Sequence, residues 1–261
     1  MTAEPTRPVA IVSGSATGIG AACARRLASH GFNVLINYAR SAEAAEKTAA
    51  RCRESGAEAL VVQGDVSEDD ACRTLVDEAA QRWGAIDVLV NNAGTTRFAD
   101  PGDLATLGKD DFDRIFAVNV TGAYQLTRAA SGHLKRSTYA SIVNVSSHSG
   151  FSGMGSSMAY AASKGALNTL TLSLASALAP EIRVNAVCPG YVDTRWMSGK
   201  LNDEEMKTFK ARAAEFAPLK HLVSPDEVAE AVCWFALGGR AITGQLLVID
   251  AGTHLTVGSP L

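Results

Sequence analysis

Along the chain, short runs dominated by Val, Ile and Leu alternate with longer amphipathic stretches. The runs PVAIVSG (8–14), FNVLINY (32–38), EALVVQGDV (58–66), IDVLVNNAG (86–94), SIVNVSS (141–147), IRVNAVCPG (182–190) and QLLVIDAG (245–252) predict seven strands. Between them the pattern predicts helices over 19–30, 42–55, 68–83 and 111–134, one holding Tyr160, and a last one in SPDEVAEAVCWFAL. The strand runs are continuous rather than alternating, which is what burial on both faces by helices demands. The order therefore predicts an α/β fold: one domain over 1–261, a doubly wound, Rossmann-type parallel sheet of seven strands flanked by helices. The long stretch 191–219 shows no strand of its own and reads as irregular.

Composition adds exclusions. The 24 basic and 27 acidic residues leave −3, without blocks of either sign, so no nucleic-acid surface is expected. No run approaches the roughly 20 apolar residues a bilayer requires, and the amino terminus lacks the apolar stretch of a signal peptide, so the expectation is a cytoplasmic protein with no membrane contact. Five cysteines without a CxxC pair read as reduced thiols, and the isolated histidines predict no protein-bound metal.

Candidate chemistry begins after the first strand, where SGSATGIG spaces Gly14, Gly18 and Gly20 as GxxxGxG before a helix. Glycines there let the backbone approach a pyrophosphate, and the free N–H groups of the helix start favour its charge. The loop lacks the GKS or GKT of a phosphate-hydrolysing site. The second strand ends in NYARS, where an acidic residue would accept bonds from the ribose hydroxyls of NAD. Here Tyr38 takes that position and Arg40 and Ser41 follow, an arrangement suited to a 2′-phosphate and hence to NADP(H) over NAD(H).

With these residues in place, the chain resembles the non-extended branch of the short-chain dehydrogenase/reductase family over essentially its whole length, and β-ketoacyl carrier-protein reductases most in overall pattern. The resemblance rests on Gly14, Gly18 and Gly20, on Asp65 and Val66, and on Asn91, Asn92, Ala93 and Gly94 as NNAG. It continues with Asn119 in FAVNVTG, Ser147 in NVSSHSG, Tyr160 and Lys164 as YxxxK, and Pro189, Gly190, Val192 and Thr194 in PGYVDT. It implies that Asp65 holds the adenine amine, that NNAG covers the adenosine side, and that Val192 and Thr194 fix the nicotinamide carboxamide. The cofactor-contact set is then Gly14, Ser15, Thr17, Gly18, Ile19, Gly20, Tyr38, Arg40, Ser41, Asp65, Val66, Asn92, Ala93, Gly94, Tyr160, Lys164, Pro189, Gly190, Val192 and Thr194. Three residues depart from the family pattern: Ser13 replaces a threonine, Thr17 sits where many NADP-using relatives carry arginine, and Ala251 replaces the first glycine of a terminal pair.

The resemblance also implies the catalytic set Asn119, Ser147, Tyr160 and Lys164. Tyr160 would be the proton donor or acceptor, Ser147 the hydroxyl holding the substrate oxygen, and Lys164 a partner of the nicotinamide ribose. Asn119 would anchor a water linking Lys164 to solvent. Ser147 is preferred to Ser146 because it lies thirteen residues before Tyr160, and adjacent strand residues point to opposite faces. A phenol near pKa 10 is a poor base at neutral pH, and Lys164, one helical turn away, is expected to favour the phenolate. No GxSxG elbow accompanies His148, which excludes a Ser-His hydrolase of that type.

A small-molecule carbonyl or alcohol substrate is expected. Phe151, Met154, Met158 and the stretch 95–98 are expected to line its pocket, under a covering segment at 191–219 with Tyr191, Trp196, Met197, Met206, Phe209 and Phe216. A non-catalytic nicotinamide-dinucleotide sensor on the same fold is the alternative from another class, and an epimerase or dehydratase holding NAD tightly is a third. Small residues on the outer faces of the helices carrying Asn119 and Tyr160 permit close packing, and the resemblance implies a homotetramer or homodimer built on them.

Overall fold

A computed structural model of the chain describes residues 7–194, 196 and 202–256. Seven strands form one parallel sheet in the order β3-β2-β1-β4-β5-β6-β7. They are β1 (Val9–Val12), β2 (Asn33–Tyr38), β3 (Ala59–Gln63), β4 (Val88–Asn91), β5 (Ser141–Val145), β6 (Arg183–Pro189) and β7 (Leu246–Ile249). The helices are α1 (Gly18–Ser29), α2 (Ala42–Glu54), α3 (Asp69–Trp83), α4 (Lys109–Phe116), α5 (Gly122–Leu134), α6 (Ser149–Ser152), α7 (Met158–Leu178), α8 (Asp203–Phe216) and α9 (Pro225–Leu237).

The period-two geometry of the strands sorts the core into two layers. Ala10, Val12, Val34, Ile36, Val88, Val90, Val143 and Val145 turn to one face and meet Ala24 and Leu27 of α1, Ala45 and Cys52 of α2, and Val228, Val232 and Phe235 of α9. Their neighbours Ile11, Leu35, Leu89, Ile142 and Val184 turn to the other, against Leu75 and Val76 of α3, Leu126 and Leu134 of α5, and Leu174 of α7. Both faces are therefore apolar, which is why the runs read as continuous. Strand order reverses between β1 and β4, so the loops after these two strands diverge and leave a crevice at their carboxyl ends.

Two stretches differ from the sequence expectation. The single helix expected over 111–134 is α4 and α5 joined by a π-helical stretch, Ala117–Thr121, which widens one turn at Asn119. The stretch 191–219 is not irregular throughout, since α8 occupies much of it. Asn202 opens α8 with a reciprocal capping box: its Oδ1 accepts from the Glu205 N–H at 2.9 Å, and the Glu205 carboxylate accepts from the Asn202 N–H at 2.8 Å.

Candidate active site

The carboxyl ends of β1, β4, β5 and β6 open into one cleft of about 1520 Å³, larger than the roughly 300–1,000 Å³ that suits one small ligand, and long enough for a dinucleotide and a second molecule. Gly14, Thr17, Gly18, Ile19, Tyr38, Arg40, Ser41, Asp65, Val66, Asn92, Ala93 and Gly94 border it, as do Ser147, Tyr160, Lys164, Pro189, Gly190, Val192 and Thr194.

At the glycine loop, Gly14 takes φ +60°, and a Cβ there would lie 2.9 Å from Ala93 Cα; a Cβ on Gly20 would lie 2.4 Å from Asn92 Nδ2 and 2.6 Å from the Gly14 carbonyl. Main chain thus packs directly on main chain where β1 and β4 end. Ser13 and Asn92 stitch the two turns: the Asn92 and Ala93 N–H groups donate to Ser13 Oγ at 3.0 Å, and Asn92 Nδ2 donates to the Ser13 and Gly14 carbonyls at 2.9 and 3.0 Å. The hydroxyl that Ser13 shares with threonine is the acceptor that the Asn92 and Ala93 N–H groups require. Thr17 starts α1 without capping it through its side chain, which leaves the first-turn N–H groups directed to the cleft as an anion site. A pyrophosphate-bearing nicotinamide dinucleotide fits this donor set.

Two members of the expected contact set stand elsewhere. The Ser15 side chain is fully buried and ties β1 to β2, its Oγ donating to the Val12 carbonyl at 2.6 Å and accepting from the Asn37 N–H at 3.0 Å. Gly20 does not border the cleft; it is the packing position against Asn92 described above. On the adenosine side, burial alone would raise Asp65, but hydrogen bonds from the Ser67 N–H and hydroxyl, with the nearby charges of Arg114 and Arg40, hold its carboxyl below the usual range. Arg114 borders the cleft and was not among the expected residues, since nothing in the pattern of α4 marks it apart from the other charges there.

At the other end, Ser157 caps α7, accepting from the Tyr160 N–H at 3.2 Å, and so fixes Tyr160 in the first turn. Lys164 lies one turn further, 4% exposed, and its Nζ donates to the Val145 carbonyl at 2.8 Å, with 5.7 Å to the Tyr160 ring centroid. The two serines diverge as the strand geometry requires. Ser146 Oγ is committed to α7, donating to Asn168 Oδ1 at 2.6 Å and to the Lys164 carbonyl at 3.2 Å. Ser147 Oγ accepts from the Ser149 N–H at 3.1 Å, donates to Ser149 Oγ at 3.1 Å, and lies beside the Tyr160 phenol.

The electrostatics differ from the expected depression of the Tyr160 pKa. Burial pushes Tyr160 up to about 12, with the Ser147 hydrogen bond pulling the other way, and burial pushes Lys164 down to about 8. The protein alone disfavours charge on both groups, because Lys164 is buried and Tyr160 is largely shielded from solvent by its neighbours. Asn119 is fully buried in the π-helical stretch; its Oδ1 accepts from the Thr95 N–H at 2.8 Å, and its Nδ2 donates to the Thr95 carbonyl at 3.0 Å and to Ser163 Oγ at 2.9 Å. It is therefore the clamp between the NNAG turn and α7, and it makes no direct bond to Lys164.

Met154, Met158, Thr95, Thr96 and Phe98 border the same cleft, as do Tyr191, Trp196, Phe209 and Phe216. The Trp196 and Tyr160 ring centroids lie 5.5 Å apart, and the Tyr191 and Phe209 rings meet nearly perpendicular with centroids 4.7 Å apart. Phe151 points away and is half exposed, Met206 instead contacts the Tyr191 hydroxyl through its sulfur, and Met197 lies outside the described residues. Among the described residues no three His, Cys, Asp or Glu side chains come together as a metal site, and no helix is long and apolar enough to cross a membrane.

Residues 14–254 match the family described as Enoyl-(Acyl carrier protein) reductase. The chain is 43% identical over 254 residues to ketoacyl reductase 2 of the granaticin polyketide synthase from Streptomyces violaceoruber, covering 97% of this chain and 99% of the relative. It is 34% identical over 250 residues to a 3-oxoacyl-[acyl-carrier-protein] reductase from Synechocystis, covering 95% and 97%. The crystal structure of a short-chain dehydrogenase/reductase from Burkholderia xenovorans superposes with a TM-score of 0.90 at 44% identity, covering 97% of this chain and all of that one. The chain belongs to the short-chain dehydrogenase/reductase family and is an oxidoreductase of that class.

Proposed function

We propose that the protein interconverts a carbonyl compound and its secondary alcohol with NADP(H), and that Tyr160 moves the proton. The observation that carries this reading is that Ser147, Tyr160 and Lys164 face one another at the buried end of the same cleft whose other end is the α1 anion site and Arg40. When bound, the nicotinamide supplies or accepts the hydride. The protein's part is on the oxygen. Ser147 Oγ donates a hydrogen bond to the substrate oxygen, and the Tyr160 phenol gives up its proton to that oxygen as negative charge grows on it. In the alcohol-to-ketone direction the phenolate takes the proton back.

A phenol pushed up to about 12 donates poorly unless charge develops beside it, and Lys164, held near by the Val145 carbonyl, is the cation that stabilises the resulting phenolate. Asn119 acts as the clamp that keeps Thr95 and Ser163, and with them Tyr160, in register. Thr17, Gly18 and Ile19 hold the pyrophosphate, Asp65 the adenine, and Arg40 with Ser41 the 2′-phosphate. Trp196, α8 and their neighbours cover the substrate, and two or four copies assemble through the helices carrying Asn119 and Tyr160, which light scattering tests.

Tyr160→Phe tests the mechanism. NADPH affinity is expected to stay within about threefold, while turnover of a ketone panel falls by roughly 10²–10⁴-fold. Unchanged turnover overturns the role of Tyr160, and NADPH binding without turnover of any ketone by the wild-type protein supports a nicotinamide sensor instead.

A further inference from the structure

A polar corner borders the cleft beside Ser147, and the chemistry above makes no use of it. Asp250, directly after β7, is almost wholly buried, and its carboxylate accepts from the N–H of Gly252 at 2.9 Å and of His254 at 2.8 Å. Both its oxygens also lie within bonding distance of His254 Nδ1, at 2.9 and 3.0 Å. A carboxylate only accepts, so Nδ1 carries the proton, and in the neutral ring Nε2 is left as an acceptor. Gly190 admits this arrangement, since a Cβ there would fall 2.6 Å from Asp250 Cβ, and the corner is thereby seated on the strand that leads to Val192 and Thr194.

The second imidazole is His148, the residue after Ser147. Its main-chain N–H donates to the Pro189 carbonyl at 2.8 Å, and its ring centroid lies 6.4 Å from that of His254. Among the described residues the His148 ring makes no hydrogen bond. Both rings border the cleft, and the His254 side chain keeps 41% of its surface exposed there. Met154, Met158, Phe209 and Trp196 supply apolar walls to the same cleft.

We propose that His254, oriented by Asp250 and flanked by His148, is a substrate subsite for a hydroxyl. The substrate is then a ketone, or its alcohol, on an apolar frame that carries a second hydroxyl. The buried negative charge of Asp250 beside His254 disfavours a carboxylate, whereas a hydroxyl can donate to Nε2. A substrate that covers His254 displaces water from Nε2, so an analogue without the hydroxyl leaves that acceptor unpaired and binds less well. This inference rests on the carbonyl-reductase reading of the same cleft.

The probes are α-tetralone and its ring-hydroxylated isomers, with kcat/KM and, separately, equilibrium binding measured for wild type and His254→Leu. At least one hydroxylated isomer is expected to be preferred about tenfold or more, chiefly through KM and Kd, with that preference falling to near one in the variant. No preference in wild type, or one that survives in His254→Leu, overturns the subsite. If neither ketone is turned over yet hydroxyl-dependent binding is present and lost in the variant, the subsite stands and the reductase reading fails. Should His254→Leu not fold, ¹⁵N-labelled histidine in the wild-type protein decides. A His254 Nε2 resonance without an attached proton, moved by the hydroxylated probe and not by α-tetralone, supports the subsite, and one indifferent to the hydroxyl removes it.

Discussion

Where β1 and β4 end, main chain meets main chain at distances that leave no room for a Cβ; where β5, β6 and β7 end, the cleft is walled by partly exposed side chains such as Trp196, Met154, Met158 and His254. The first end can hardly vary without moving the sheet, whereas the second can change residue by residue over the same strands. This is the division expected when one end holds an invariant ligand and the other a variable one.

The contrast is most severely tested by Gly20→Ala. The new methyl meets Asn92 Nδ2, the Gly14 carbonyl and Ser15 Cα at once, so stability by urea denaturation is expected to drop by about 2–3 kcal/mol. A neutral outcome would mean that the two turns yield and that the rigid end is not rigid. Arg40→Ala acts at the same end without touching the packing, since Arg40 is exposed. Its kcat/KM with NADPH is expected to fall between about tenfold and a hundredfold while that with NADH barely moves. A preference for NADH in the unmutated protein would instead remove the 2′-phosphate assignment.

Lys164→Met probes the buried centre between the two ends. Turnover should be lost, yet stability at neutral pH should rise by about 1 kcal/mol, because a buried ammonium is replaced by an apolar chain of similar length. Burial lowers Lys164 from its ordinary 10.5 to about 8, so between these values the folded protein binds fewer protons than the unfolded chain, and native stability rises with pH. The advantage of Lys164→Met is therefore full below pH 8 and fades toward pH 10.5, as thermal melts across that window would record. The smallest effect is expected at the variable end. Ala251 adopts φ 54°, a left-handed conformation that glycine takes without penalty, and Ala251→Gly should add about 0.5–1 kcal/mol by the same denaturation measurement.

The layers were legible in the sequence through local rules, and the proposed cluster of Ser147, Tyr160 and Lys164 through the motifs of the family resemblance. Strand runs of Val, Ile and Leu announce two-sided burial, and the four-residue step from Tyr160 to Lys164 places both on one helix face. What escaped depends on contacts between distant segments. Ser15 sits within the glycine loop, but its hydroxyl is claimed by Asn37 of β2, which no spacing encodes. The upward push on Tyr160 comes from burial under neighbours, among them Trp196, that approach from another part of the chain. The Asp250–His254 pair has the i,i+4 step of a helix but lies in a turn beyond β7, so helical periodicity does not reveal it. α8 is different, since Asn202 and Glu205 form a capping box readable from their spacing alone.

The widened turn at Asn119 makes this part of the molecule more sensitive to chain length than to residue identity. Ala117–Thr121 holds one residue more per turn than the helices on either side. Deleting a residue beside Asn119 would close this stretch to the ordinary i→i+4 pattern and remove the widened turn that holds Asn119. The Asn119 carboxamide would then lose its hold on Thr95, although every side chain outside the deletion remained in place in the sequence.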